Sequence, residues 1–389
     1  MTITDKKLGQ WMIDLRRGLH QIPETAYQEF ETTKKIAAVL AELGLEVRLF
    51  DDMTGVVGLL RGGAEGRTVA LRADIDALPI DEQTESPYKS RHPGRMHACG
   101  HDAHTTIMLG VARSLKESGL DRELKGNVKF LFQPAEESGA GALKMIERGV
   151  LEDPFVDRVL AGHVVPNQPV GTVGVTPAQA FASADRLELV IQGRGGHGGM
   201  PHDGADPVLA GAQFVTALQS IVARNVPPLE AAVISVCRFS AGRTANVIPE
   251  EAALEGTIRA LSQPVRELLW RRLKELSQGL EKSCDVTCRL TIEEGYPPCI
   301  NDEEVSAFLS QVTAGLFGPD SVSQVAPVTG AEDFAFFAQK RPSAMIRLGC
   351  GKKAGQTSHP LHSPHFDLDE GVLAVGQKIF TEAVRRFLA

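Results

Sequence analysis

The chain has 389 residues, and its 41 lysine and arginine residues against 49 aspartate and glutamate residues give a net charge of −8. This balance offers no basic surface to a nucleic acid or an anionic membrane, so we expect neither as a partner. Hydrophobic residues make up 43% and charged residues 23%, which excludes a mainly disordered chain. No run of 18 apolar residues and no signal-peptide core is found, so we expect a cytoplasmic protein.

Helical and strand-like segments alternate through the first half of the chain. Apolar spacing predicts two amphipathic helices between Leu8 and Leu43. The elements predicted next are strands at 45–50, 54–62 and 68–76, a helix at 105–118, a strand at 127–134, a helix at 139–148 and a strand at 157–165. This alternation predicts an α/β domain with a mostly parallel sheet.

The rhythm changes between residues 184 and 294. Segments in this part follow the order β-α-β-β-α-β, which predicts an inserted α+β domain of the ferredoxin-like kind. From residue 295 the chain returns to the first domain, with a strand at 342–350 and a closing helix at 369–387. We therefore expect a discontinuous domain of residues 1–183 and 295–389 and an inserted domain of residues 184–294.

A thiol lies inside the densest histidine cluster of the sequence. The segment MHACGHDAHT places Cys99 and His101 two residues apart, between His97 and His104. Thiolate and imidazole form a good donor set for zinc and related metals. A histidine-rich surface loop before a helix is the alternative. The six cysteines have no framework spacing, which argues against structural disulfides.

Two adjacent carboxylates follow an apolar strand in FQPAEESG. Glu136 and Glu137 repel each other at this position unless a cation is present. With a metal bound, one glutamate can be a ligand while the other takes a proton from a water molecule. The alternative is a helix N-terminus, where acidic side chains are favourable.

Single histidines and aspartates near other strand ends add to this set. His163 follows an apolar strand, where a lone histidine is more often a core residue, and His362 lies in a loop before the last helix. Asp74 and Asp76, at the end of a strand, are suited to orient a ligand histidine. The alternative for both is a solvated strand end.

Three residues of the inserted segment are candidates for substrate contacts. His197 lies in the glycine-rich stretch GRGGHGGMPH, which lacks the pattern of a phosphate-binding loop. Its imidazole could stabilise developing negative charge on a carbonyl oxygen. Asn246 and Arg259 lie near strand ends and could bind an amide or a carboxylate, although each alone is ordinary surface chemistry.

The order of these segments resembles the metal-dependent amidohydrolase and peptidase family that contains bacterial hippurate hydrolases, N-acyl-amino-acid aminohydrolases and plant auxin-conjugate hydrolases. The resemblance runs over nearly the whole chain, through LHQIPE, RADIDALP, MHACGHDAHT, FQPAEES, AGHV, GRGGHGGMPH, ANVIPEEA, TGAEDFAFF and LHSPHFD. It implies a catalytic α/β domain with a two-metal centre and an inserted lid domain that also forms a homodimer.

The resemblance assigns the metal ligands. Cys99 matches the ligand that bridges the two metals. The terminal ligands are matched by His101, Glu137, His163 and His362. Two divalent ions per chain are therefore expected, and this donor set accepts Zn, Mn, Co or Ni.

The resemblance also assigns the residues that act on the substrate. Glu136 matches the general base, and His197 matches a lid histidine that stabilises the oxyanion and could reach the site of the neighbouring subunit. Asn246 and Arg259 match lid positions that contact substrate, and Gly330 lies in the loop that lines the substrate pocket.

One position departs from the wider superfamily. Many relatives carry His-x-Asp before Val-Pro, whereas this chain has Asp74-Ile75-Asp76 before Ala77-Leu78-Pro79. Aligned on the proline, Asp76 takes the place of the supporting carboxylate and Asp74 that of a missing histidine ligand. His101 is expected to compensate, and the role of Asp74 is open.

Together these features predict an enzyme that hydrolyses the amide bond of an N-acyl amino acid or a similar small conjugate. A dipeptidase or carboxypeptidase of the same family is the nearest alternative. A non-catalytic protein in which a metal only holds the loops is an alternative of another class. A nucleotide-dependent α/β enzyme is disfavoured because phosphate-binding fingerprints are missing.

Overall fold

The computed structural model describes residues 3–352 and 358–389. Contacts within it divide the chain into two compact units. The first unit comprises Met1–Ala178, Ile300–Ala326 and Phe336–Ala389. The second comprises Gln179–Cys299 and Pro327–Ala335.

The helices and strands of the described residues are numbered in chain order. The helices are α1 (Ile3–His20), α2 (Phe30–Glu42), α3 (His101–Ser118), α4 (Gly141–Glu147), α5 (Pro207–Asn225), α6 (Gln263–Cys284), α7 (Glu303–Phe317), α8 (Ala335–Ala338) and α9 (Gly371–Phe387). The strands are β1 (Glu46–Arg48), β2 (Val56–Arg61), β3 (Ala64–Asp74), β4 (Lys125–Gln133), β5 (Arg158–Pro169), β6 (Val173–Val175), β7 (Ala178–Phe181), β8 (Ala184–Gln192), β9 (Gly196–His197), β10 (Ala232–Ala241), β11 (Val247–Ile248), β12 (Glu251–Ala260), β13 (Thr287–Tyr296), β14 (Cys299–Asn301), β15 (Val322–Gln324) and β16 (Ser343–Gly351). Short 3₁₀ helices lie at Leu120–Arg122, Pro201–Asp203 and Pro319–Ser321.

The first unit is built on an eight-stranded sheet of order β1-β2-β4-β3-β5-β16-β6-β15. Strands β4, β3, β5 and β16 run parallel to their neighbours within this group, and β15 is parallel to β6. The remaining pairs of the sheet are antiparallel. The central strands are buried over most of their length, as expected for continuous apolar runs covered on both faces. The prediction of an α/β domain with a mostly parallel sheet is confirmed.

Residues 101–112 of helix α3 are all buried in this unit. The helix packs against α1, α9 and β3, and its apolar side chains belong to one hydrophobic core with those of the sheet. Gly110 allows this close packing, because a Cβ atom there would lie 2.7 Å from the Met12 methyl group. The helix that follows the Cys99 segment is thus held firmly by its surroundings.

The second unit contains the β-α-β-β-α-β order predicted for the inserted segment, as β8-α5-β10-β12-α6-β13. Its four-stranded sheet has the order β10-β12-β8-β13 and is antiparallel throughout, which is the split β-α-β arrangement. Helices α5 and α6 contribute Phe214 and Leu273 to a separate core with Leu189 of β8. Strands β9 and β11 form a small additional sheet.

The structure adds elements that the sequence patterns did not predict. Helix α3 begins at His101, four residues before the predicted start, because its first turn is polar and resembles a loop in sequence. Helix α7 and several short strands were also not predicted. None of the described helices is long and apolar enough to span a membrane.

Candidate metal centre

The candidate residues meet where parallel strands of the first unit end. Asp74 is the last residue of β3, Glu136 follows β4, and His163 lies in β5. Strands β4, β3 and β5 are adjacent and parallel, so their carboxyl ends lie along one edge of the sheet. Open α/β sheets commonly place their sites at this edge.

The turn before α3 presents Cys99 and His101 on either side of Gly100. Gly100 has a φ of 86° and forms the N-terminal cap of the helix. Its carbonyl oxygen accepts hydrogen bonds from the amides of Ala103 and His104. A Cβ atom at this position would lie 2.4 Å from Val164 Cγ2. Glycine is therefore required both by the left-handed backbone and by the close approach of β5.

The adjacent glutamates are held by backbone hydrogen bonds on both sides. Ala135 has a φ of 53°, a strained value for a residue with a side chain. Its amide donates to Glu29 Oε1 at 2.9 Å, and the Glu137 amide donates to Asp76 Oδ2 at 3.0 Å. These two contacts fix the backbone on either side of Glu136, which is itself buried.

Five predicted ligands and Glu136 form overlapping groups of donor atoms. The groups are Cys99 with His101 and His163, Cys99 with Glu137 and His362, and His101 with Glu136 and Glu137. Within each group the donor atoms lie within 4.8 Å of one another. Cys99 Sγ is 3.4 Å from His163 Nε2, and Glu137 Oε1 is 3.3 Å from His362 Nε2. Cys99 is thus common to two sets of ligand atoms.

Hydrogen bonds orient two of the histidines toward this cluster. His101 Nδ1 donates to the backbone oxygen of Asp76 at 2.9 Å and lies 3.1 Å from Asp76 Oδ1. His163 Nδ1 donates to the backbone oxygen of Val164 at 2.8 Å. In both residues Nε2 is left available to a metal ion, which is the arrangement found for metal-binding histidines.

The cluster has properties that a cation would satisfy. His101 Nε2 is buried and has no hydrogen-bond partner among the described residues. Burial raises the pKa of the Cys99 thiol, an effect only partly offset by His101, so a thiolate there needs a nearby positive charge. Burial also lowers the pKa of His163 to about 3, which keeps this imidazole neutral and able to bind a metal. The residues present therefore fit a metal site.

The surroundings of His362 also favour a positive charge. His362 has a φ of 63°, and its amide donates to the backbone oxygen of Ala98 at 2.9 Å. Hydrogen bonds to Cys99 and Glu137 raise the pKa of His362 to about 10. Because a proton on Nε2 and a metal ion compete for the same lone pair, metal binding at this residue will release a proton.

The candidate residues of the second unit fall into two places. His197 in β9 pairs with Val247 in β11, next to Asn246, and the Gly198 amide donates to the Asn246 oxygen. Arg259 instead pairs with Val233 near the far end of β12. Gly330 accepts a hydrogen bond from the Ala182 amide. The structure brings His197 and Asn246 together and places Arg259 elsewhere in this unit.

Several polar residues buried around the cluster were not predicted from the sequence. Arg72 and Gln133 lie inside otherwise apolar strands, and Arg72 Nε donates to Gln133 Oε1 at 2.8 Å. Asp102 is bound by Arg16 and His20 of α1, each at 2.8 Å. The available signal was a charged or amide side chain within an apolar run, since such residues are rarely buried without a partner.

Comparison with known proteins identifies the family of the chain. Residues 70–386 match the model of the peptidase family M20/M25/M40. The chain is 39% identical to an N-acetyl-L-cysteine deacetylase of Bacillus subtilis over 98% of this chain and 89% of the relative. It is 36% identical to thermostable carboxypeptidase 1 of Saccharolobus solfataricus over 95% of this chain and 94% of that protein.

A solved structure extends the similarity to the whole fold. A dinuclear metal-binding peptidase of the M20 family from Bacillus subtilis superposes with a TM-score of 0.86 at 36% identity, covering 98% of this chain and 99% of the other. The chain therefore belongs to the M20/M25/M40 family of peptidases. The family resemblance predicted from the motifs is confirmed.

Proposed function

We propose that this protein is a metal-dependent amidohydrolase that cleaves the amide bond of N-acyl amino acids or similar small conjugates. The observation that carries the proposal is the overlap of the ligand groups at Cys99, with Glu136 beside them. The similarity to an N-acetyl-L-cysteine deacetylase supports this class of substrate. A site that only stabilises loops would not need a buried carboxylate beside its ligands.

The proposed centre holds two divalent ions. Cys99 would be shared by the two ions, and His101, Glu137, His163 and His362 would each hold one of them. The sharing of Cys99 by two groups supports two adjacent ions, and thiolate, imidazole and carboxylate accept Zn, Mn, Co or Ni. Such ions, when bound, lower the pKa of a coordinated water and polarise the acyl carbonyl of the substrate.

Side chains around this centre transfer protons, orient a ligand and bind the substrate. Glu136 takes the proton of the attacking water and delivers it to the leaving nitrogen, as a general base and then a general acid. Asp76 keeps His101 in one orientation through its hydrogen bonds to Nδ1. His197 donates a hydrogen bond to the oxyanion of the tetrahedral intermediate, while Asn246, Arg259 and Gly330 contribute to substrate binding.

We infer that the inserted segment, residues 184–294, acts as a lid and forms a homodimer. Arg259 lies eight residues beyond Glu251, so it is about 25 Å along β12 from the end that carries His197 and Asn246. One small substrate therefore cannot touch both ends in a single chain. A dimer resolves this if His197 serves the site of the partner subunit.

Exposed apolar side chains support the dimer. Val208 and Leu209 at the start of α5 and Phe239 on the edge strand β10 are 39%, 55% and 40% exposed. The Phe239 ring packs against Gly211 of α5. The exposed apolar side chains of α5 and β10 therefore lie on neighbouring surfaces. Exposed apolar patches and open strand edges are common at subunit interfaces.

A cytoplasmic location is part of the proposal. All six cysteines are free thiols, which supports a reducing compartment.

The test of the reaction is replacement of Glu136. The Glu136→Gln variant is expected to lose about 10²- to 10⁴-fold in kcat on N-acetyl amino acids because proton transfer is removed, while its metal content stays that of the wild type. The Glu147→Gln variant, altered at an exposed position of α4, is the control and is expected to keep full activity. An active Glu136→Gln enzyme would overturn the assignment.

A carboxypeptidase is the second candidate, favoured by the similarity to thermostable carboxypeptidase 1. The two are separated by comparing kcat/KM for N-acetyl, N-benzoyl and indole-acetyl amino acids with kcat/KM for dipeptides that carry the same C-terminal residue. We expect higher values for the N-acyl amino acids. Higher values for the dipeptides would favour the carboxypeptidase.

A further inference from the structure

A continuous chain of buried polar groups lies behind the ligand histidines. Arg72 Nη1 donates to Asp74 Oδ2 at 2.8 Å, and His104 Nδ1 donates to Asp74 Oδ1 at 2.6 Å. On the other side of the imidazole, the amide of Val164 donates to His104 Nε2 at 2.9 Å. The chain thus connects the end of β3 with α3 and with the segment of β5 that carries His163.

These groups are buried, with Arg72, Asp74 and His104 each at most 2% exposed. Both carboxylate oxygens of Asp74 already accept a hydrogen bond from a protein donor. Asp74 Oδ2 also lies 3.8 Å from His101 Nε2. Asp74 is therefore placed to hold its neighbours in position and to place negative charge beside a ligand atom.

The hydrogen bonds leave His104 a single tautomer. Its Nδ1 must carry the proton, since Asp74 accepts there, and its Nε2 must be an acceptor, since the Val164 amide donates there. The Val164 carbonyl oxygen in turn accepts a hydrogen bond from His163 Nδ1. One residue of β5 is therefore bound by two imidazoles, one at its amide and one at its oxygen.

We propose that Asp74 and His104 are positioning residues that set the orientation of His163 and His101 for metal binding. This inference rests on the metal centre proposed above. It gives a function to Asp74, which stands where the wider superfamily has a histidine ligand. Residues that support metal ligands in this way typically change metal affinity 10- to 100-fold when altered.

The variant Asp74→Asn tests this series of hydrogen bonds, because asparagine has nearly the same shape as aspartate. An amide has one acceptor and one donor at this position, whereas Arg72 and His104 both present donors. If the amide oxygen faces Arg72, the amide nitrogen faces His104 Nδ1, which must then give up its proton. The proton moves to Nε2 and meets the Val164 amide, so β5 must shift next to His163.

The experiment measures Zn²⁺ affinity of the full chain by competition with a chromogenic chelator, together with the absorption spectrum of the Co²⁺ form. Asp74→Asn is expected to weaken Zn²⁺ binding about 10- to 100-fold and to alter the Co²⁺ spectrum. The control is Asp185→Asn. Asp185 is an equally buried aspartate that binds Arg266 and Trp270 in the second unit, so this variant removes a buried charge from a unit that contains none of the proposed ligands.

A second pair of variants covers a failure of Asp74→Asn to fold. His104→Leu removes both hydrogen bonds, whereas the Gln of His104→Gln supplies one donor and one acceptor. We expect His104→Leu to weaken Zn²⁺ binding about 10- to 100-fold and His104→Gln to recover most of that loss.

Three results would overturn part of this account. Wild-type affinity and spectrum in Asp74→Asn or His104→Leu would overturn the inference alone. An equal loss of affinity in Asp185→Asn would also overturn it, because affinity would then follow stability in general. No Zn²⁺ binding by the wild-type chain would overturn the proposed function itself.

Discussion

Glu29, which is remote in sequence, supports the loop that carries Glu136 by direct hydrogen bonding. Its Oε1 accepts a hydrogen bond from the amide of Ala135, directly before Glu136, and its Oε2 accepts one from the hydroxyl of Thr54. Glu29 is fully buried. Burial, with a smaller contribution from the charge of Asp76, raises the pKa of Glu29 to about 7, against the lowering effect of its hydrogen bonds.

This raised pKa predicts a pH-dependent stability. Since the folded chain binds this proton more tightly than the unfolded chain, the free energy of unfolding falls as pH rises from about 4.5 to about 7. The contribution lost over this range is about 3 kcal/mol. In Glu29→Gln, which cannot titrate, the free energy of unfolding relative to wild type should therefore rise by about 3 kcal/mol across the range.

Urea unfolding in the presence of a chelator, at several pH values, measures this difference. Glu42→Gln, altered at an exposed position of α2, controls for the loss of one carboxyl group. A difference between Glu29→Gln and wild type that stays constant from pH 4.5 to 7.5 would show that the prediction is wrong.

At the scale of elements, the two ends of α3 provide a matched comparison. Gly100 and Gly119 flank the helix with φ values of 86° and 75°. A Cβ atom at Gly100 would meet Val164, whereas none of the described atoms lies within 4 Å of one at Gly119. A side chain at either position would bring the same backbone strain, but only Gly100 is packed against β5.

We therefore expect Gly119→Ala to cost about 1–2 kcal/mol from the left-handed backbone alone. Gly100→Ala should cost about 2–5 kcal/mol, because overpacking adds to that strain, and should also weaken Zn²⁺ binding by displacing Cys99 and His101. Urea unfolding and chelator competition measure both effects. Equal stability and equal Zn²⁺ affinity in the two variants would contradict the role given to this turn.

Sequence patterns predicted the long elements because those elements have a strong period or a continuous apolar run. The strand NVKFLFQP and the amphipathic first helix are examples, and both are present as β4 and α1. Short strands such as β6 and β15 contain three residues each. Three residues are too few for periodicity, and their pairing depends on neighbours that are remote in sequence.

The metal cluster could be predicted from sequence for a different reason. Cys99, His101 and the two adjacent glutamates are chemically unusual in their local setting, and the family resemblance added His163 and His362. The buried partners Arg72, Gln133 and His104 could not be assigned, because their roles depend on hydrogen bonds between separate strands and α3. Sequence order also gave no sign that Arg259 lies far along β12 from Asn246.

At the scale of the whole molecule, the proposed dimer makes a prediction about mixed subunits. Glu136→Ala and His197→Ala should each be inactive alone. If His197 serves the site of the partner subunit, a mixed dimer contains one intact site. With random subunit exchange, an equal mixture should then regain about a quarter of wild-type activity.

Activity of the mixture after subunit exchange, with the mass of the particles in solution, tests this prediction. Mixing each variant with a chain that carries both substitutions is the control and should restore nothing. A mixture that stays inactive although mixed dimers form would place His197 at the site of its own chain.

The proposed centre has two metal ions per chain, with Cys99 as a ligand common to both. The most direct test is the metal content of the wild-type chain, measured by plasma emission after saturation with Zn²⁺ and removal of loosely bound metal by gel filtration. We expect close to two ions per chain. One ion or none per chain would contradict the proposed centre.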